Sequence, residues 1–211
     1  MDCIFETTMN DIELIEQIAD GLQVLPMAKR VTTIPNFAIW SGSHSPHGHH
    51  YGKGGLAKHT REVIQLCLVN AGYCNADINK VNLFLAALYH DVGKLWDYEP
   101  TRESLPYGNS SNERAWGKNP NEYKDWKKTS HKNKIHHITR SIIVWQEDAK
   151  IYGVDEESKD EITHAILAHH GHKEWGSPVE PQTRLACMLH CCDLLSARMD
   201  DINKLQLRLN K

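Results

Sequence analysis

The 211-residue chain has no uninterrupted apolar run of the ~18 residues that a membrane-spanning helix requires, so no transmembrane segment is expected. Its start, MDCIFETTMNDIELIEQ, lacks the basic-then-apolar profile of a secretion signal, and a cytoplasmic placement is the expectation. None of its six cysteines forms a C-x-x-C pair, which argues against a zinc ribbon or a dithiol redox motif. A formal net charge of −3 gives no global drive towards nucleic acid or anionic membranes. Sustained alternation of apolar and polar residues is also missing, which argues against a sheet of any size.

Helical periodicity and histidine are what the chain does have. Residues 11–25 read as an amphipathic helix capped by Asn10 or Asp11 and interrupted near Gly21. Residues 26–55 carry three prolines and five glycines and read as loop with at most a short helix. Helices follow from Leu56 to Gly72 and through INKVNLFLAALYHDVGK, which is apolar almost all round between Val81 and Tyr89 and is therefore expected at the centre of the domain. Three more helical stretches begin near residues 134, 160 and 181. An all-α single domain follows, interrupted at about residues 97–133 by a polar, basic insert without sustained periodicity.

The 14 histidines are clustered, five of them in residues 43–60. His59 lies on the apolar stripe of its helix with Val63 and Leu66, His169 shares a stripe with Ile162 and Ile166, and Asp193 shares one with Ala186 and Leu189. His90 and Asp91 end the most apolar helix, as part of HDVGK. Each could be read alone as a satisfied core residue or a helix end emerging into water. Buried carboxylates need a partner, however, and four helices aiming His or Asp inward are economically explained by shared coordination of one or two metals. A ligand set so rich in imidazole favours Mn, Fe, Co, Ni or Zn over Mg alone.

His59, the pair His90-Asp91 and Asp193 resemble the H…HD…D signature of the HD-domain metal-dependent phosphohydrolase superfamily. The stretches HHYGKGGLAKHT, LAALYHDVGK, HHITRS, HAILAHHGHKEWGSP and LHCCDLLSARMD are similar, in the same order, to the HD domain of bacterial 3′-5′ exoribonucleases, over roughly residues 49–200. The resemblance implies an HD-domain helical bundle with its core at about 49–205. It also implies a primary ligand set of His59, His90, Asp91 and Asp193. His137, His169 and His170 match positions that hold a second metal or contact substrate phosphate. Lys94, one turn past Asp91, is placed to hold a phosphoryl oxygen, so that Asp91, Lys94 and His137 form the expected catalytic group. His164 sits five residues before His169, too far round the helix to share its direction, and is read as supporting the ligands or facing substrate. His49 and His50 precede a Gly-rich turn and either reach the substrate or buttress the turn.

Residues 113–140 hold eight Lys and Arg against three acids, interleaved with Trp116, Tyr123 and Trp126. That pattern suits a single strand, with Lys127 and Lys128 on phosphates and Trp126 under a base, or else a solvated loop pinned by its aromatics. The expected reaction is hydrolysis of a phosphoester in a nucleotide, cyclic nucleotide or short single-stranded nucleic acid by metal-activated water. Only about 45 residues precede the region of resemblance, too few for the OB-type domain of the exoribonucleases, which argues against processive RNA degradation. The alternatives are a non-catalytic nucleotide or nucleic-acid binding module, or a DNA-processing protein of the relaxase kind, since YKDWKKTSHKNKIHH is similar to the HD region of one class of conjugative relaxases.

Overall fold

The computed structural model describes residues 9–101 and 125–209, with side chains to residue 202. Its helices are α1 (Asp11–Gly21), α2 (Leu25–Thr32), α3 (Gly55–Tyr73), α4 (Lys80–Tyr89), α5 (Lys94–Asp97), α6 (Ser130–Lys134), α7 (His137–Ile151), α8 (Glu156–Ala168) and α9 (Arg184–Leu209). The only strands among the described residues are β1 (Tyr98–Pro100) and β2 (Trp126–Lys128). The fold is all-α, as the periodicity implies.

Asn10 rather than Asp11 caps α1: its side chain accepts from Glu13 N while Glu13 reaches back to Asn10 N, a capping box. The helix anticipated over 11–25 is two helices. The chain turns at Leu22–Val24, where Gln23 takes a left-handed φ of 62°, and α2 then restarts with Pro26 in its first turn, where the missing N–H costs nothing. α4 is central. It packs against α2, α3, α7, α8 and α9, and every residue from Asn82 to Tyr89 is buried. A helix enclosed on all sides cannot show a polar face, which is why its sequence is apolar almost throughout. Asp148 on α7 ties the surround to this centre, accepting from Tyr89 Oη at 2.9 Å and Arg30 Nε at 2.8 Å.

The insert differs from the aperiodic loop its composition suggests. Its two ends pair antiparallel, Tyr98 opposite Lys128 and Pro100 opposite Trp126, and Thr101 N donates to Asp125 O at the open end. Three residues per strand are too few to give a period, so this stem has no pattern to read. Arg114, Trp116, Lys118, Tyr123 and Lys124 of the basic-aromatic pattern fall outside the described residues.

Candidate metal centre

α4 ends at Tyr89, so His90 and Asp91 leave a fully buried helix and enter the interior where α3, α7, α8 and α9 converge. Asp91 is 1% exposed, and its two oxygens face different groups of ligands. Oδ2 lies 3.4 Å from His59 Nε2 on α3 and 3.4 Å from His90 Nε2. Asp193 of α9 closes that side, with Oδ1 3.0 Å from His59 Nε2 and 3.9 Å from His90 Nε2. Oδ1 of Asp91 faces the other way, 3.5 Å from His137 Nε2 at the start of α7 and 3.8 Å from His169 Nε2 at the end of α8. His137, His169 and His170 each offer a donor atom within 4.8 Å of the others. One carboxylate thus joins two clusters.

The hydrogen bonds orient each ring. Nδ1 of His90 is bonded to Ala87 O at 2.7 Å, and Nδ1 of His169 to Ile166 O at 2.7 Å. A carbonyl can only accept, so Nδ1 carries the proton and Nε2 presents a lone pair to the centre. His137 Nδ1 lies 3.3 Å from Asp97 Oδ2, a carboxylate–imidazole pair of the kind that stands behind metal ligands. His59 Nδ1 meets Ser196 Oγ at 3.1 Å, and the Ser196 hydroxyl donates to Glu62 Oε2 at 2.9 Å. The anion behind His59 therefore acts through a hydroxyl.

Four buried atoms are left without hydrogen-bond partners in this small volume: Asp91 Oδ1, His137 Nε2, His169 Nε2 and His170 Nδ1. Orphaned buried acceptors cost roughly 1–3 kcal/mol each, and a cation that they ligate removes that cost. Protonation states agree. Burial holds His137, His169 and His170 down to about 3, so at neutral pH they are uncharged, the form that ligates. Burial alone would raise the pKa of Asp91, but Lys94 Nζ, 2.5 Å from Oδ2, and the adjacent histidines hold it well below the usual carboxylate range. Asp193 is likewise lowered against its burial by its bond to His59. Ionised carboxylates and the uncharged imidazoles of His137, His169 and His170 suit a divalent cation, whereas Asp193 and Asp91 outweigh burial at His59 and raise its pKa.

Of the residues expected at the site, His59, His90, Asp91, His137, His169, His170, Asp193 and Lys94 are brought together. His49 joins them: it lines a cavity of about 320 Å³ above the centre together with Lys94, His170 and Trp175. His50 does not. Its ring is shared between Glu62 Oε2 at 2.8 Å and His49 Nδ1 at 3.2 Å, and its N–H donates to Asp200 Oδ2 at 2.6 Å. It buttresses the turn. His164 lies elsewhere, its Nε2 accepting the Gln182 N–H at 2.9 Å just before α9. Trp126 is 4% exposed and packs edge-on against Trp40 at 4.8 Å, so it is a core residue and no base platform. Lys127 and Lys128 are exposed on β2, Lys127 pairing with Glu99 at 3.1 Å, and neither lines the cavity.

Two supporting carboxylates were not foreseen. Glu62 follows His59 by three residues and so shares its helix face, a signal present in the spacing. Asp97 gives no local signal. It meets His137 and also His131 (Nδ1 to Oδ1, 2.9 Å) only because the β1–β2 stem returns the chain beside it. Those hydrogen bonds outweigh its burial and set its pKa at about 2.

Comparison with known proteins agrees with this geometry. The chain is 27% identical over 156 residues to the 3′-5′ exoribonuclease YhaM of Bacillus subtilis, covering 74% of this chain and 42% of that protein. It is 29% identical over 159 residues to the protein of the same name from Listeria monocytogenes, with the same two shares. It is 36% identical over 72 residues to that of Bacillus pumilus, covering 34% and 23%. The chain thus spans less than half the length of these curated relatives. No solved structure matches it. Residues 56–198 match the family described as HD domain, and that interval contains every candidate ligand from His59 to Asp193 around Asp91. The chain belongs to the HD domain family.

Proposed function

We propose that the protein is a metal-dependent phosphohydrolase that cleaves a phosphoester of a nucleotide or of a short single-stranded nucleic acid. The observation that carries this reading is the division of Asp91 between two ligand clusters, with four buried donor atoms otherwise unpartnered. Divalent cations held there, by His59, His90, Asp91 and Asp193 on one side and by Asp91, His137, His169 and His170 on the other, would supply water of lowered pKa and neutralise charge on phosphoryl oxygens.

The protein's own groups do the rest. Lys94 is 6% exposed, and the attraction of Asp91 outweighs its burial and keeps it charged. At the cavity wall it is a buried cation that can meet a phosphoryl oxygen. His49 beside it is held neutral, at about 2, by burial and by the nearby Lys94 charge, so it can accept or donate one hydrogen bond without adding charge. The cavity is at the small end of ligand sites and takes one nucleotide-sized moiety at a time, which suits attack at the end of a chain or on a mononucleotide. The exoribonuclease name of the curated relatives supports a nucleic-acid end as substrate.

The test is chelation, reloading with Mn, Co, Ni or Zn, and assay on bis(p-nitrophenyl) phosphate, nucleotides, cyclic dinucleotides and end-labelled RNA and DNA. Hydrolysis of at least one is expected, falling by about 100-fold or more in Asp91→Ala. Turnover of none of them by the metal-loaded protein, or a full rate in Asp91→Ala, overturns the reading.

A further inference from the structure

One wall of the cavity is unused by the metal centre. Trp175 ends the short turn Lys173–Trp175 and is 56% exposed, yet it lines the same cavity as Asp91 and Lys94. An exposed tryptophan at a mobile loop tip would mean little, but this one is held. Trp175 N donates to His172 O at 3.0 Å, Gly176 N to Lys173 O at 2.9 Å and Ser177 N to His172 O at 3.2 Å. The buried Ser177 hydroxyl reaches Val179 O at 2.6 Å. Both ends of the loop turn on left-handed glycines, Gly171 (φ 83°) and Gly176 (φ 89°). At Gly171 a Cβ would stand 2.3 Å from the His190 ring, so the side chain of His190 on α9 occupies the space beside the loop.

The ring's neighbours leave it open. His172 meets it edge-on at 4.8 Å, and His190 lies 6.2 Å away at 37°, so no aromatic ring of the described residues stacks flat on the indole. Across the cavity α9 contributes Leu194, Ala197 and Arg198. A flat apolar face is thus fixed beside a phosphate-binding floor, with Lys94 at the base and Arg198 at the rim. Inorganic phosphate has nothing to place on such a face, and the small puckered ring of a pentose phosphate covers less of it than a planar base does. A nucleobase has a π-surface of matching size.

We infer that Trp175 is the base-stacking wall of a nucleoside phosphate site whose phosphate end lies over the metal centre. This rests on the function proposed above and specifies its substrate class as one that carries a base. The recognition is of the π-face, so it distinguishes nucleotides from other phosphoesters without choosing among bases.

The test is equilibrium binding of adenosine 5′-phosphate and of ribose 5-phosphate, by calorimetry, to the metal-loaded native protein, Trp175→Phe and Trp175→Ala. About a tenfold preference for the nucleotide is expected in the native protein, retained in large part by Trp175→Phe and abolished in Trp175→Ala, with ribose 5-phosphate binding alike in all three. No preference in the native protein, no binding of either ligand, or a preference that survives in Trp175→Ala overturns the inference. The measurement needs no turnover. A nucleotide preference without hydrolysis would refute the proposed function and leave the stacking wall standing, and hydrolysis without a preference would do the reverse.

Discussion

Gly93, in the middle of HDVGK, is expected to tolerate no side chain, and the reason is distance rather than backbone freedom. Its φ of −62° suits any residue. A Cβ there, however, would stand 2.1 Å from the carbonyl oxygen of His137 and 2.8 Å from its Cα. The start of α7 would have to retreat by about 1 Å to restore ordinary contact. That retreat stretches the hydrogen bond from Gly93 N to Ser141 Oγ, now 2.9 Å, and draws His137 from Asp91. Overpacking of this kind costs about 1–3 kcal/mol and the lost hydrogen bond about 1 more. For a chain of this size, Gly93→Ala should lower Tm by about 4–15 °C. Because ligand positions are held to about 0.2 Å, it should also weaken metal binding on the His137 side. Gly72→Ala is the control. Its Cβ would meet nothing within 4 Å near the end of α3, so it should be neutral or stabilise by up to about 1 kcal/mol. Thermal unfolding, with metal content measured by competition against a chelator, reads both effects. A Gly93→Ala protein with native Tm and native metal affinity would refute the reasoning.

Asp97→Asn should reduce metal affinity about 10- to 100-fold, since the carboxylate behind His137 is lost while the ligand stays; chelator competition that finds no change removes Asp97 from the site. The metal-free protein should lose stability as pH falls below about 6.5. His137 and His169 have folded pKa values of about 3, so between those limits the unfolded chain binds protons that the native state refuses, at up to about 1.4 kcal/mol per pH unit for each. His59, whose pKa Asp193 and Asp91 raise, acts in the opposite sense and offsets one of these rings. Denaturant unfolding from pH 7.5 to 5 checks the net loss, and a flat profile would refute it. Trp126→Ala should cost about 3 kcal/mol of stability through its lost packing on Trp40, and an unchanged Tm would restore Trp126 to the surface role that its neighbours in sequence suggest.

What could be read from the sequence was whatever is encoded within one helix. The inward placement of His59, His169 and Asp193 follows from the spacing of their apolar neighbours, and the wholly apolar α4 announces that whatever ends it is buried. Residues whose role depends on two distant segments meeting could not be read in that way. Asp97 and His137 are 40 positions apart in the chain, and nothing local to either shows that they touch. Trp126 illustrates the opposite failure. Aromatics among lysines describe a nucleic-acid groove and a pinned loop equally well, because composition does not say which way a ring faces. Nor does any local pattern announce that the Gln182 N–H engages His164 or that Glu62 engages His50.

The stem of β1 and β2 has an engineering consequence. Its strands cross-connect Tyr98–Pro100 to Trp126–Lys128, and Asp97 and Thr129 at its base are joined by a backbone hydrogen bond of 2.9 Å. Thr101 and Asp125, the described residues that flank positions 102–124, are therefore hydrogen-bonded neighbours. Exchanging positions 102–124 for a shorter turn, a fluorophore-bearing loop or a foreign binding segment is expected to keep the two strands in register, and with them the separation of Asp97 from His137. The domain is in that sense a socket.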